Sequence, residues 1–337
     1  MSTAKLRVAQ AGPLVSIQDA GRFGALRFGV SAAGPMDRLS FSSANAALGR
    51  ELGATSIEVS LGGVSLDCIQ GAATLAVAGG DFTSKLDTQN LSRWQVVTLE
   101  QGQSLSIRGG SWGSWCYVAV AGALQANEWL GSTATASMTN FGGGALFAGQ
   151  ILTISDAQVL PSREGEISRP ATAAPPTSIR VNLGPQDRHF ADEKIEMLQS
   201  EPFCVSGAYD RMGMRLDGPP LSPDGALSIP SEPILRGSVQ VSGDGVATVL
   251  LADHGTTGGY PKIATVLLED QDRLVQLRSG SSFRFVAVSS EEALQVAREE
   301  ARMRSTYLSG LAQPKPSLQE RLMQENLVGG VVSETPD

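Results

Sequence analysis

Histidine, cysteine and aromatic side chains are scarce in this chain: 337 residues hold two histidines, three cysteines and 5% aromatics. With His189 and His254 alone, a histidine-built metal centre would need carboxylate support that no motif supplies, so no metal is expected. Cys68, Cys116 and Cys204 lie far apart, form no CxxC pair and have no histidine at ligand spacing. They read as small buried apolar residues, not as a disulfide framework or a zinc site. No stretch approaches the roughly 18 apolar residues of a membrane span, and the N-terminal MSTAKLRVAQAGPL has no apolar core of signal-peptide length. The expected location is the cytoplasm.

Positive charge is also short. The formal net charge is -8, and no run of Lys or Arg interleaves with aromatics, which argues against nucleic acid as a partner. Three motifs are missing as well: the phosphate loop GxxxxGK(S/T), the nucleophile elbow GxSxG and a strand-linked GxGxxG. Their absence excludes ATP held by a P-loop, a hydrolase triad of that type and a bound dinucleotide within this chain.

Glycine and proline, by contrast, are plentiful, at 38 and 17 residues. That balance predicts many short strands joined by turns. A nine-residue pattern, apolar-x-x-Gly-x-x-apolar-x-apolar, occurs at Leu99–Ile107, Leu146–Ile154 and Leu277–Phe285. Each copy places a glycine turn before a half-buried strand. Further strands are expected at Thr74–Ala78, Cys116–Ala121, Ile179–Leu183, Val239–Val241, Val246–Leu251 and Ile263–Leu268, a spacing that favours compact β-barrels. Helices are expected at Asp37–Leu48, His189–Leu198 and Glu291–Tyr307, the last with Leu294, Ala297 and Ala301 on its packed face and closing the second domain. Residues 161–178 lose apolar periodicity and gain four prolines, as a linker would. The expected organisation is therefore 1–165, 176–310 and a tail, 311–337, with a short helix over Leu318–Glu325.

Three polar clusters stand out. In VLLADHGTTGGYPKIAT, residues 249–265, the turn between two apolar runs carries Asp253, His254, Thr256, Thr257, Gly258, Gly259, Tyr260 and Lys262. Its glycines let a ligand approach the main chain, and its hydroxyl and amide groups can donate to an oxyanion; self-satisfied side-chain bonds are the structural alternative. In residues 15–45, Gln18, Asp19, Arg22, Asp37, Arg38 and Asn45 fall in one glycine-punctuated span. There, an Asp19 to Arg22 pair could simply pin a loop, and Asp37 could cap a helix. In residues 206–221, Arg211 is the best anion binder, because its fork takes a carboxylate or carbamate in bidentate fashion; a surface ion pair with Asp210 or Asp217 is the alternative. His189 is a weaker candidate.

Taken in order, QDAGRFG (18–24), GVSAAGPMD (29–37), AN (44–45), YDRMGMRL (209–216), GSVQV (237–241) and TTGGYPKIATV (256–266) resemble the allophanate hydrolase subunit 2 family. That family is also called the biotin-dependent carboxyltransferase or Kip antagonist family, and the C subunit of bacterial 5-oxoprolinase belongs to it. The resemblance runs over most of residues 8–288. It implies a mainly β protein of two cyclophilin-like β-barrel lobes, with a few short helices, a C-terminal helix and a cleft between the lobes. It further implies a component of an ATP-dependent 5-oxoprolinase, weak or inactive alone, that acts with a subunit 1 protein of the Kip inhibitor type and a LamB/YcsF-type protein. In that complex 5-oxo-L-proline is converted to L-glutamate; the substrate class is a small anionic or amide compound. No cofactor is intrinsic on this reading, and the complex uses ATP.

The alternatives are a carboxyltransferase component, for which biotin would come from elsewhere, and a regulator that binds a kinase inhibitor. Asp19, Asp37, Arg211 and Lys262 are the expected catalytic set. Gln18, Arg22, Asn45, Asp253, His254, Thr256, Thr257, Gly258, Gly259 and Tyr260 are expected to hold substrate. One departure stands out: Gly255 occupies the position where the family commonly carries glutamine, with His254 before it.

Overall fold

The computed structural model describes residues 2–224 and 228–314. The expected tail helix at Leu318–Glu325 lies outside them. Strands up to Glu166 form two sheets. One runs in the order Ala123–Leu124, Ile151–Ser155, Thr3–Ala11, Val64–Gln70, Ser104–Arg108, Thr83–Leu86, Gln89–Asn90. The other runs Gly165–Glu166, Gln95–Glu100, Ala72–Ala78, Trp115–Val120, Ser56–Ser60, Ser16–Gln18. From Ser178 onward, seven strands close a barrel, sealed by Ser178–Leu183 running parallel to Ser282–Ala287. Every expected strand is present, and each copy of the glycine-turn pattern leads into one: Ser104–Arg108, Ile151–Ser155 and Ser282–Ala287.

Side-chain alternation explains how the two halves share a core. Along Trp115–Val120, Cys116, Val118 and Val120 join the interior between the two sheets, where Val59, Leu75 and Val77 also lie. Trp115, Tyr117 and Ala119 point the other way, into a second cluster that runs on into the barrel through Val181, Val239 and Val249. A strand buried on both faces reads as a continuous apolar run, and the small residues Ala76, Ala78 and Ala119 let a helix approach its outer face. Cys68 and Cys116 are buried as expected, whereas Cys204 is only half-buried.

The helix on that outer face is α1 (Arg38–Ala47), which turns Phe41, Ala44 and Ala47 toward the sheet, with the Phe41 ring edge-on to Tyr117 at 5.7 Å. Helix α2 (Asp192–Ser200) packs on Ser282–Ala287. Helix α3 (Leu268–Leu274) was not expected; the sequence pattern carried the preceding strand to Leu268, whereas the strand stops at Val266. Its Asp270, Gln271 and Asp272 are buried, so it has no apolar stripe to betray it.

Helix α4 (Ser290–Ala312) starts at a capping box of Ser289 and Glu292 and lies on α1 and α3. The expected inward face is corrected: Leu294 is 52% exposed and Ala301 is exposed. The row Val296, Glu300, Arg304 and Leu308 faces the protein instead, because Arg304 reaches Asp272 at 3.0 Å and Leu308 is buried.

Candidate active site

The Asp253–Tyr260 turn leaves the barrel strand Ala247–Leu250 and returns as Lys262–Val266. Its first residues, Asp253 to Thr256, face Gly29, Val30 and Ser31 across a crevice of about 140 Å³, whose remaining wall is Trp129 and Ala136–Thr139. The N-terminal glycine-rich stretch and the turn therefore meet in one pocket, formed where the barrel abuts the two-sheet lobe.

His254 lies in that wall. It is 5% exposed, and its Nδ1 is hydrogen-bonded to the Gly255 carbonyl. A carbonyl only accepts, so Nδ1 carries the proton and Nε2 keeps the lone pair. Burial holds the imidazole below its ordinary pKa, with Arg236 adding to the effect, so it is neutral at pH 7. Asp253, its neighbour, accepts from the Ser137 backbone N–H at 3.1 Å. Burial alone would raise the Asp253 carboxyl; the Arg211 guanidinium overrides this and holds it below the usual range.

Arg211 is not a free anion binder, nor is it on the surface. It is 2% exposed; Nε and Nη2 bind Asp253 at 2.8 and 3.0 Å, Nη2 also binds the Gly34 carbonyl at 2.7 Å, and Nη1 binds Glu58. Asp210 instead closes its own turn through the Met212 and Gly213 amides. Glu58, which sequence reasoning missed, is fully buried and also accepts from the Met36 amide and the Tyr117 hydroxyl, each at 2.8 Å. A lone glutamate in an alternating strand gives no signal of its partner 153 residues away.

Asp19 and Arg22 organise the adjoining loops separately. Asp19 accepts from Gly21 N, Ser132 Oγ and Thr133 N, at 2.6 to 2.8 Å, and forms no ion pair with Arg22 among the described residues. Arg22 is buried, stacks over Trp129 at 4.9 Å and donates to the Trp129 and Ala134 carbonyls; burial lowers its pKa. Gln18 is buried against Ser16 and the Thr135 carbonyl. Asn45 is removed from the site: inside α1, its amide bonds Ala54 O and Ser56 Oγ, both at 3.1 Å.

Asp37 caps α1, accepting from Ser40 N at 2.9 Å and Ser40 Oγ at 2.6 Å, and receives Gln276 Nε2 at 2.7 Å from the barrel side. Burial, with the Asp272 charge, pushes its pKa up to about 6. It does not line the crevice.

The far end of the turn takes a different course. Thr257 and Gly258 pair with Glu232 and Pro233 in a two-stranded ribbon, Gly259 O accepts from Ile229 N, and Tyr260 is 46% exposed. Lys262 is buried beneath. Among the described residues no group of His, Cys, Asp and Glu is placed to hold a metal ion, and no helix is long and apolar enough to cross a membrane.

Comparison with known proteins identifies relatives over most of the chain. The 5-oxoprolinase C subunit of Haemophilus influenzae is 34% identical over 287 residues, covering 84% of this chain and 91% of that protein. The protein of the same name from Escherichia coli K12 is 29% identical over 304 residues, covering 88% and 96%. The crystal structure of Kluyveromyces lactis urea carboxylase superposes with a TM-score of 0.79 at 25% identity, covering 94% of this chain but 30% of that one. The family model for the carboxyltransferase domain, subdomain A and B, matches residues 28–287, and the chain belongs to that family.

Proposed function

We propose that this chain is the C subunit of an ATP-dependent 5-oxoprolinase complex, in which 5-oxo-L-proline, ATP and two waters give L-glutamate, ADP and phosphate. The observation that carries the reading is the similarity to 5-oxoprolinase C subunits over more than four-fifths of the chain, and the crevice adds to it His254, an imidazole on its wall whose Nδ1 is bonded to the Gly255 carbonyl. Such a group can take the proton of a water attacking the ring amide, and the small crevice suits a five-membered lactam. His254 stands beside the position where the family commonly carries glutamine, so the imidazole takes over the polar role at that bend. Opening the lactam releases an amine and a carboxylate, and activating its carbonyl with ATP is work for the partners, since this chain has no phosphate loop. Those partners are a Kip inhibitor-type subunit 1 and a LamB/YcsF-type protein.

A second reading, carboxyl transfer with biotin held by another polypeptide, is favoured by the superposition on urea carboxylase. The two are separated by assaying the purified complex for ATP-dependent glutamate release from 5-oxo-L-proline, and for transfer of label from carboxybiotin to urea. Label transfer without glutamate release would overturn the 5-oxoprolinase reading.

A further inference from the structure

Lys262 is handled unlike the other buried cations of this protein. Its side chain is 3% exposed, yet Nζ donates a hydrogen bond to no described residue. Arg22 leaves one nitrogen without a partner but donates through the other two, and Arg211 donates through all three. Lysine has one nitrogen, and an ammonium taken from water with no acceptor is strongly disfavoured unless a ligand completes it.

The nearest opposite charge is Glu232 Oε2, 3.9 Å away on a side chain 48% exposed. That same oxygen accepts from Gln186 Nε2, and Gln186 is itself 1% exposed and fixed by the Lys262 backbone N–H, which donates to its Oε1 at 3.0 Å. Two buried donors, an ammonium and an amide, thus converge on one loosely held carboxylate supplied by the ribbon over them. The ribbon strand Thr257–Gly258 continues directly from Thr256 on the crevice wall, so the crevice and the cation occupy the two ends of one turn.

We infer that Lys262 and Gln186 form a carboxylate subsite, in which the ligand's carboxylate displaces Glu232, takes over the Gln186 amide donor and gives the Lys262 ammonium the acceptor it lacks. Resting on the 5-oxoprolinase reading, this makes Lys262 the residue that distinguishes a lactam acid from a plain lactam. Glu232 is then a placeholder: solvent can receive it when it swings out, whereas Gln186 and Lys262 stay where the barrel holds them.

The test is equilibrium binding of 5-oxo-L-proline and of 2-pyrrolidinone, the same ring without its carboxylate, to the assembled complex. Lys262→Met should weaken 5-oxo-L-proline about 10- to 100-fold, the loss expected for one charge-assisted hydrogen bond, and leave 2-pyrrolidinone unchanged. Lys262→Arg, which keeps the charge, should retain most of the preference. Equal losses for both ligands, or none, overturn the assignment. Should Lys262→Met fail to fold, Glu232→Gln decides: it should tighten 5-oxo-L-proline severalfold without affecting 2-pyrrolidinone, and no gain counts against the subsite. Turnover by the wild-type complex is scored separately. Absent turnover and absent binding of 5-oxo-L-proline remove the functional reading and the subsite together, whereas normal turnover with no charge-selective effect removes the subsite alone.

Discussion

Arg211 grips Asp253 through two parallel hydrogen bonds, 2.8 Å from Nε to Oδ2 and 3.0 Å from Nη2 to Oδ1. With its remaining donors on Glu58 and the Gly34 carbonyl, the guanidinium joins the barrel to the opposite lobe and fixes the residue next to His254.

Arg211→Ala should therefore unfold the protein before it reveals anything about chemistry. Removing one member of a buried charge cluster strands the others, at a cost of about 3–5 kcal/mol. Arg211→Lys should not rescue it, because an ammonium lacks the planar fork that meets Asp253. Urea denaturation measures this; wild-type stability with turnover abolished would make Arg211 a catalytic group instead.

His254→Ala should behave in the opposite way, lowering kcat of the complex roughly 100-fold or more with little change in the urea midpoint. Because burial depresses the imidazole pKa, the folded protein binds fewer protons than the unfolded chain below pH 6.5. Stability from this group is complete above pH 6.5 and is lost as pH falls. An NMR titration showing a His254 midpoint above 6.5 would contradict the arrangement.

Asp37 and Asp272 give opposed pH dependences. The Asp37 pKa is raised to about 6 against 3.8, so the folded state holds the extra proton and stability falls as pH rises from about 4 to about 6. Burial works against the Asp272 charge, but Arg38 and Arg304 outweigh it and hold the pKa at about 2; its contribution is lost as pH falls from about 4 toward 2. Asp37→Asn, which keeps an oxygen for the Ser40 amide, should flatten the upper slope and leave the lower one. Thermal unfolding between pH 2 and 7 reads both, and an unchanged upper slope assigns it elsewhere.

Gly34 and Gly29 offer a matched pair, with φ of +84° and +81°. A methyl at Gly34 would sit 2.9 Å from the Ala20 carbonyl, whereas one at Gly29 meets nothing within 4 Å. Gly29→Ala should cost roughly 1 kcal/mol of backbone strain, and Gly34→Ala that plus the clash with Ala20, whose relief would shift the Gly34 carbonyl that Arg211 binds, roughly 3 kcal/mol in all. Equal losses in chemical denaturation would show that the Gly34 contact is relieved by a shift of the loop.

The expected strands were legible because burial on one or two faces leaves period-2 or continuous apolar runs, as at Ile151–Ser155 and Trp115–Val120. Helix α1 was legible over Asp37–Leu48 with Asp37 as its cap, whereas the Phe41, Ala44 and Ala47 face it buries is set by the sheet beneath it. Helix α3 was not, since buried Asp270 and Asp272 are stabilised by Arg180, Arg38 and Arg304, which lie far along the chain. The turn around His254 announced itself by glycine and polar density, but which of its side chains face the crevice did not.

The amino-acid order by itself determined the mainly β character, the C-terminal helix and the polar turn, because these depend on neighbours within a few residues. Tertiary structure alone decided that Arg211 serves the lobe junction, that Asn45 belongs to a helix interior, and that His254 and Lys262 end up at opposite ends of one turn with different surroundings. Those outcomes depend on which distant groups share a buried volume. A side chain's charge, proton and partners are set by what surrounds it after folding, and one-dimensional spacing carries no record of that.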